Sequence, residues 1–170
     1  LKQKMNDNNT VILTNVIKTE KLSIECLSPT FELPYTNADG IEFLTAYQHI
    51  QYSKAKLFRD LSAMKDIASC SSYDYVLRRG KAIKKFDNNL WKNYKNSILF
   101  QVNLDRVSDD KRLLDILMAT ERKFLVYQTS TDFDLGNGTA YSNRFSAHKW
   151  RGNNAYGKSL EQVREFLRSM

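Results

Sequence analysis

Three groups of residues in this chain have types and spacings suited to chemistry. The run Trp150-Arg-Gly-Asn-Asn-Ala-Tyr-Gly157 sets two glycines five residues apart, with Asn154 between them, ahead of an apolar-periodic segment. Glycine lets a backbone approach a ligand closely, and a helix N-terminus offers free N–H groups to phosphate. A plain Gly/Asn turn before a helix has the same composition. Tyr47, Gln51 and Lys54 recur at spacings of four and three, which puts them on one helical face. Arg78, Arg79, Lys81, Lys84 and Lys85 fall within eight residues, and Lys92 and Lys95 follow beside Trp91 and Tyr94. Basic groups interleaved with aromatics suit phosphate contact and base stacking, and equally a solvated helical face.

The elements that must position these groups follow from the apolar pattern. Thr10–Val16, Leu22–Cys26 and Phe124–Thr129 are β-branched or apolar runs of strand length, and residues 29–40 form a Pro- and Gly-bounded loop. Thr45-Ala-Tyr-Gln48 is a capping-box pattern that opens a helix toward Phe58. A second helical stretch covers Arg59–Ser69, and another starts at Ser71–Asp74. Asn88 or Asn89 caps a helix over Leu90–Asn103, with Trp91, Tyr94, Ile98 and Val102 as its stripe. Ser108 caps a helix over Asp109–Met118. The stretch Thr131–Trp150 is irregular, with a hairpin near Gly136-Asn-Gly138. Ser159–Gln162 is a last capping box before the C-terminal helix. The sum is an α+β chain, mostly helical, with a small β-sheet in a single domain. It divides into an N-terminal strand extension over 1–26 and a domain over 27–170.

Composition narrows the class. The chain has 170 residues, 42% of them hydrophobic and 12% aromatic, which is globular rather than disordered. No apolar run reaches the length of a membrane span, and the start lacks the apolar stretch of a signal peptide. Cys26, Cys70, His49 and His148 lack metal-ligand spacing, so no metal is expected. No cofactor is expected either. Two unclustered thiols suit a reduced, cytoplasmic protein with both cysteines buried. A net charge of +7 and a pI of about 9.4 favour an anionic partner.

In register, these pieces resemble the NADAR family of YbiA-like N-glycosidases. Leu27-Ser28 and Pro34-Tyr35 precede Asp39-Gly40, Phe43, Thr45, Gln51 and Lys54, in step with the family's opening motif. Gly80 stands eleven residues before Trp91, and Lys95 four residues after it. Leu113, Leu117, Thr120, Leu125-Val126, Asp132 and Gly136-x-Gly138 continue the likeness. Trp150, Gly152, Asn154, Gly157 and Arg164 close it. Residues 27–167 are covered.

The resemblance implies a YbiA-like fold and cleavage of an N-glycosidic bond. The implied ligands are an ADP-ribose conjugate, such as ADP-ribosylated guanine, or a phosphorylated ribosylamine. ADP-ribosylated nucleic acid is a further partner class. It assigns catalysis to Lys54 and Asp132, and substrate contact to Tyr47, Gln51, Gly80, Lys81, Trp91, Gly136, Trp150, Gly152 and Asn154. The chain departs from the family where glutamates are expected: Tyr47 and Tyr127 stand in their places. Gln48 replaces a histidine, Leu135 a tryptophan, and Arg106-Val107 a Lys-Phe pair. Tyrosine is a poor general base near neutral pH. A lysine that attacks C1 supplies another route, and Lys54 suits it if buried with a lowered pKa. Otherwise Lys54 is an exposed helix lysine and Asp132 a turn cap. Two functions follow: an N-glycosidase, or a catalytically degenerate domain that binds ADP-ribose, a nucleotide or nucleic acid. A basic nucleic-acid-binding protein rests on charge alone.

Overall fold

The computed structural model describes residues 3–70 and 72–170. Six α-helices and two small sheets make up the regular structure among them: β1 (Thr10–Leu13), β2 (Tyr35–Thr36), β3 (Glu42–Phe43), α1 (Ala46–Leu57), α2 (Leu61–Ser69), α3 (Tyr73–Lys81), α4 (Asn88–Asp109), α5 (Lys111–Ala119), β4 (Phe124–Tyr127) and α6 (Ala155–Arg168). β1 pairs in parallel with β4, and β2 pairs antiparallel with β3. α4, the longest helix at 22 residues, packs against α1, α5, α6 and β2, while α6 lies on β4.

Local chemistry sets the helix starts. Thr45 caps α1 by accepting the Gln48 N–H, and Gln48 Oε1 accepts the Leu44 N–H, one residue ahead of the cap. Asp60 caps α2 through Ala63 and also accepts the Lys84 N–H, tying α2 to the α3–α4 connection. Ser72 caps α3; Ser71 itself lies outside the described residues. At α4 the cap is Asp87 rather than Asn88 or Asn89, because an aspartate one residue earlier accepts the Leu90 N–H.

Several expectations are corrected. Leu22–Cys26 is not a strand: residues 24–27 form a 3-10 turn, since Cys26, Leu27 and Ser28 are buried consecutively and a strand would alternate them. α4 continues through Asn103 and Ser108 to Asp109, and Asp110 caps α5. The buried face of α4 is Trp91, Lys95, Leu99, Val102, Asn103, Arg106 and Val107, while Tyr94 is half exposed. Residues 136–138 form no hairpin strands; their backbone bonds Tyr127, Gly152 and Asn154 instead. Ser159 lies inside α6, where its hydroxyl donates to the Tyr156 carbonyl. β1 sits in the sheet with β4, so the described part of 1–26 is integral to the domain rather than an extension. Both cysteines are free, but only Cys26 is buried.

Two buried polar groups organise the core. Arg106, 2% exposed, donates to the Tyr156 hydroxyl (3.0 Å) and the Cys26 carbonyl (2.8 Å), and its guanidinium lies 5.8 Å from the Tyr35 ring. Asn154 precedes α6 in the left-handed conformation, φ 51°, which asparagine tolerates better than most residues. Its Oδ1 accepts the Tyr127 N–H (2.8 Å) and its Nδ2 donates to the Leu125 carbonyl (2.9 Å). A Cβ at Gly157 would collide with that same Leu125 carbonyl oxygen, so glycine lets α6 sit directly on β4.

Replacing Asn154 with alanine strands two buried backbone groups and leaves at φ 51° a residue that tolerates the left-handed region less well than asparagine. We predict that Asn154→Ala destabilises the fold by roughly 3–4 kcal/mol in denaturant unfolding. Asn154→Gly should recover only the backbone part. A loss under about 1 kcal/mol for the alanine variant would show that the amide does not hold α6 to β4.

Candidate functional site

A cleft of about 370 Å³ opens between α1, α3 and the loop after β4. α1 contributes Tyr47, Gln51 and Lys54, one face at spacings of four and three. From α3 come Tyr73, Leu77, Gly80 and Lys81, and from the loop Thr131 to Leu135. A Cβ at Gly80 would collide with Gln51 Oε1, so glycine there lets α3 close onto α1. Gln51 Oε1 in turn accepts a long hydrogen bond from Lys54 Nζ (3.4 Å).

Lys54 is half-buried. Its ammonium lies 5.1 Å from the Phe86 ring centre and 5.6 Å from that of Trp91, a pair of aromatic faces that attract a cation. Burial pulls its pKa below the ordinary lysine range, and Asp134 and then Asp132 act in the opposite sense. The nearby phenols are pushed the other way. Burial raises Tyr47 above the ordinary tyrosine range, with Tyr73, Asp132 and Asp134 adding to it. Tyr127 is raised by burial, then by Asp132, Tyr73 and Tyr47. Both phenols are therefore neutral near pH 7. Tyr47 packs its ring 5.0 Å from that of Tyr73, and the Tyr127 hydroxyl donates to Asn15 Oδ1.

The loop carries two carboxylates in different settings. Asp132 Oδ1 accepts the backbone N–H groups of Asp134 (2.9 Å) and Leu135 (2.7 Å), a turn-capping arrangement. Among the described residues no hydrogen bond reaches its Oδ2. Asp134 accepts from Trp91 Nε1 (2.8 Å) and from Lys95 Nζ (2.7 Å). The loop is held from behind: Asn137 N–H donates to the Tyr127 carbonyl (2.9 Å), and the N–H groups of Gly152, Asn154 and Tyr156 donate to the carbonyls of Asn137, Gly136 and Leu135.

Six of the residues read from the sequence line this cleft: Tyr47, Gln51, Lys54, Gly80, Lys81 and Asp132. Trp91 reaches it through Lys54 and Asp134. Gly136 is buried in the loop immediately behind it, where a Cβ would collide with Thr129. The C-terminal group is elsewhere. Trp150 donates its indole N–H to the Asn143 carbonyl (3.0 Å). The N–H groups of Gly152 and Asn154 are engaged by the 136–137 carbonyls, and the Asn154 amide by β4. At the expected phosphate cradle before α6, three of the N–H groups, those of Gly152, Asn154 and Tyr156, hold the loop. The basic segment is also partly neutralised, because Arg79 donates to Asp66 (2.9 Å) and Lys95 to Asp134.

Sequence reasoning passed over Asp134, Tyr73, Leu77 and Phe133. Tyr73, Leu77 and Gly80 do carry a signal, a spacing of four and three like that of α1. Asp134 carried none, because its role depends on Trp91 and Lys95, which lie about 40 residues earlier in the chain.

This chain belongs to the NADAR family: residues 5–168 match the NADAR domain. It is 28% identical over 134 residues to an N-glycosidase of Acanthamoeba polyphaga mimivirus, across 77% of this chain and 79% of that protein. It is 27% identical over 131 residues to Protein irg-1 of Caenorhabditis elegans, across 75% of this chain and 62% of that protein. The solution NMR structure of the E. coli protein YbiA superposes with a TM-score of 0.73 over 99% of this chain and 90% of that one, at 21% identity, a likeness of fold. No helix among the described residues is long and apolar enough to cross a membrane.

Burial of Lys54 has a stability consequence with a definite sign. Its charged form is disfavoured in the folded state, so the folded pKa lies below the unfolded one. That penalty is fully present below the folded pKa and vanishes as pH rises through the unfolded value of about 10.4. Lys54→Met is expected to melt above wild type at pH 7, with the gap closing toward pH 10.5. Thermal melts across that range test it; a gap that does not change with pH would assign the effect to packing alone.

Proposed function

We propose that the cleft cleaves the N-glycosidic bond of an ADP-ribose or ribose-phosphate conjugate, for example ADP-ribosylated guanine or a ribosylaminopyrimidine phosphate. The observation that carries this reading is Lys54, a half-buried amine with a lowered pKa, sharing one cleft with the Asp132 carboxylate. Family membership and the mimivirus relative, named an N-glycosidase, support the reaction class. Lys81 at the rim and a net charge of +7 suit a phosphorylated ligand. Tyr73, which lines the cleft, offers aromatic surface to a base.

The reaction proceeds by nucleophilic catalysis. The neutral Lys54 amine attacks C1 as the C1–N bond breaks and its electron pair leaves with the base nitrogen. Asp132 takes the proton released by the new C1–Nζ ammonium and passes it to the departing nitrogen. The Nζ lone pair then opens the sugar ring, giving an imine at C1 and a hydroxyl at the former ring oxygen. Water adds to C1, the amine leaves, and Lys54 is restored beside a free ribose product. Tyr47 and Tyr127, both neutral, take no proton in this scheme.

The same two phenols favour a second reading, a degenerate domain that binds such a ligand without turnover, because they stand where the family's glutamates are expected. Borohydride separates the two. In the first reading it reduces the imine to a stable adduct at Lys54, found by peptide mass spectrometry. Lys54→Ala then abolishes the adduct, and turnover falls by about a hundredfold or more for Lys54→Ala and for Asp132→Asn. Ligand binding by wild type without turnover or adduct would establish the binding domain. Turnover that survives Lys54→Ala would reject the lysine route and move the chemistry to Asp132.

A further inference from the structure

The scheme above uses Lys54 and Asp132 and leaves Asp134 and Lys95 without a task. Lys95 is 8% exposed, on the inner face of α4. Among the described residues its only ion pair is with Asp134, at 2.7 Å. A buried ammonium needs such a partner. Trp91 sits one turn earlier on the same face, so one carboxylate spans an i, i+4 pair, Oδ2 to the indole N–H and Oδ1 to the ammonium. The indole held in this way is the one whose face lies 5.6 Å from Lys54 Nζ. A residue whose whole purpose was to neutralise Lys95 would not need to grip the tryptophan as well.

We propose that Asp134 is the positioning residue of this cleft: by bridging Trp91 and Lys95 it fixes both the indole face and the carboxylate charge that Lys54 meets. The assignment gives the reading of Lys54 as nucleophile its supporting structure, and rests on that reading for its catalytic consequence. The groups around Lys54 are Tyr47 and Gln51 on α1, Tyr73 and Lys81 on α3, Phe86 ahead of α4, Trp91 on α4, and Asp132 and Asp134 on the loop. Lys95 stands behind Asp134. Two charges in this set, Asp134 and Lys95, are paired with each other. Asp134 draws the proton toward Lys54, while Lys95 offsets that pull by neutralising the same carboxylate.

The two halves of this pair therefore act on Lys54 in opposite directions. The test labels the folded chain briefly with trinitrobenzenesulfonate between pH 6 and pH 10 and reads modification at Lys54 by peptide mass spectrometry. Asp134→Asn is expected to lower the half-labelling pH of Lys54 by roughly half a unit or more, about a threefold faster reaction at a fixed pH below it. Lys95→Met, which keeps the side-chain length, frees the Asp134 charge and is expected to raise the half-labelling pH. The double variant returns toward wild type. Single variants that both shift the same way, or neither of which shifts, overturn the proposal. If Asp134→Asn fails to fold, Lys95→Met decides alone: an unchanged or lowered half-labelling pH refutes the positioning role. No substrate is needed. A chain that labels in the expected order but never turns over upholds the positioning of Lys54 and refutes the glycosidase reading.

Discussion

One side-chain amide holds the architecture around the cleft in place. Asn154 binds the β4 backbone at Leu125 and Tyr127 with its two ends, and its left-handed backbone turns the chain into α6. Its own N–H holds the Gly136 carbonyl, and the N–H groups of Gly152 and Tyr156 hold those of Asn137 and Leu135. The loop that carries Asp132 and Asp134 is thus pinned along its trailing edge to the same strand from which it departs. Loops that carry functional groups are useful only when a rigid scaffold fixes them, and here the scaffold is a strand, a helix start and one asparagine. Three of the N–H groups around this helix start fix the loop.

The cleft that results has a divided character. Tyr47, Tyr73, Leu77 and Leu135 make one part aromatic and apolar, while Lys54, Lys81, Asp132 and Asp134 make the other charged. Partial burial strengthens every charge interaction in the second part relative to open water. It also explains why the phenols cannot stand in for carboxylates. The burial that pulls a lysine toward its neutral, nucleophilic form pushes a tyrosine away from its basic one. Tyr47 and Tyr127 therefore stay neutral while burial draws Lys54 toward its own neutral form. That coupling comes from a single environment acting on groups of opposite charge type.

How far the sequence could be read depended on whether the cause was local. Thr45 and Gln48 signal the start of α1 within four residues, and the face Tyr47, Gln51, Lys54 follows from helical geometry alone. The α+β class and the likeness carried by Trp91, Asp132 and Gly152 were legible for the same reason, since they are matters of type and spacing. What failed was non-local. Ser159 and Gln162 have the form of a capping box, yet α6 begins four residues earlier because β4 and the loop bind Asn154 and its neighbours. Ser108 looks like a cap, but α4 runs on because Arg106 and Val107 are buried against other parts of the chain. The stretch before Pro29 has strand composition, but three consecutive residues must turn inward. Asp134 escaped notice because its two partners are distant in sequence, whereas Asp132 was marked by the family resemblance.

The pairing of β1 with β4 has a consequence for how the chain comes together. Residues 10–13 lie beside residues 124–127, so the sheet under α6 cannot form until all the residues between the two strands have been made and the strands brought together. Closing so long a loop costs entropy before the contacts it permits return any. The helices between, α1 to α5, are assembled from shorter-range contacts and can collapse first. During synthesis, the first strand therefore waits with an unpaired edge while the cleft wall of α1 and α3 takes shape. The loop that carries Asp132 and Asp134, which follows β4, is the last part of the cleft to find its place.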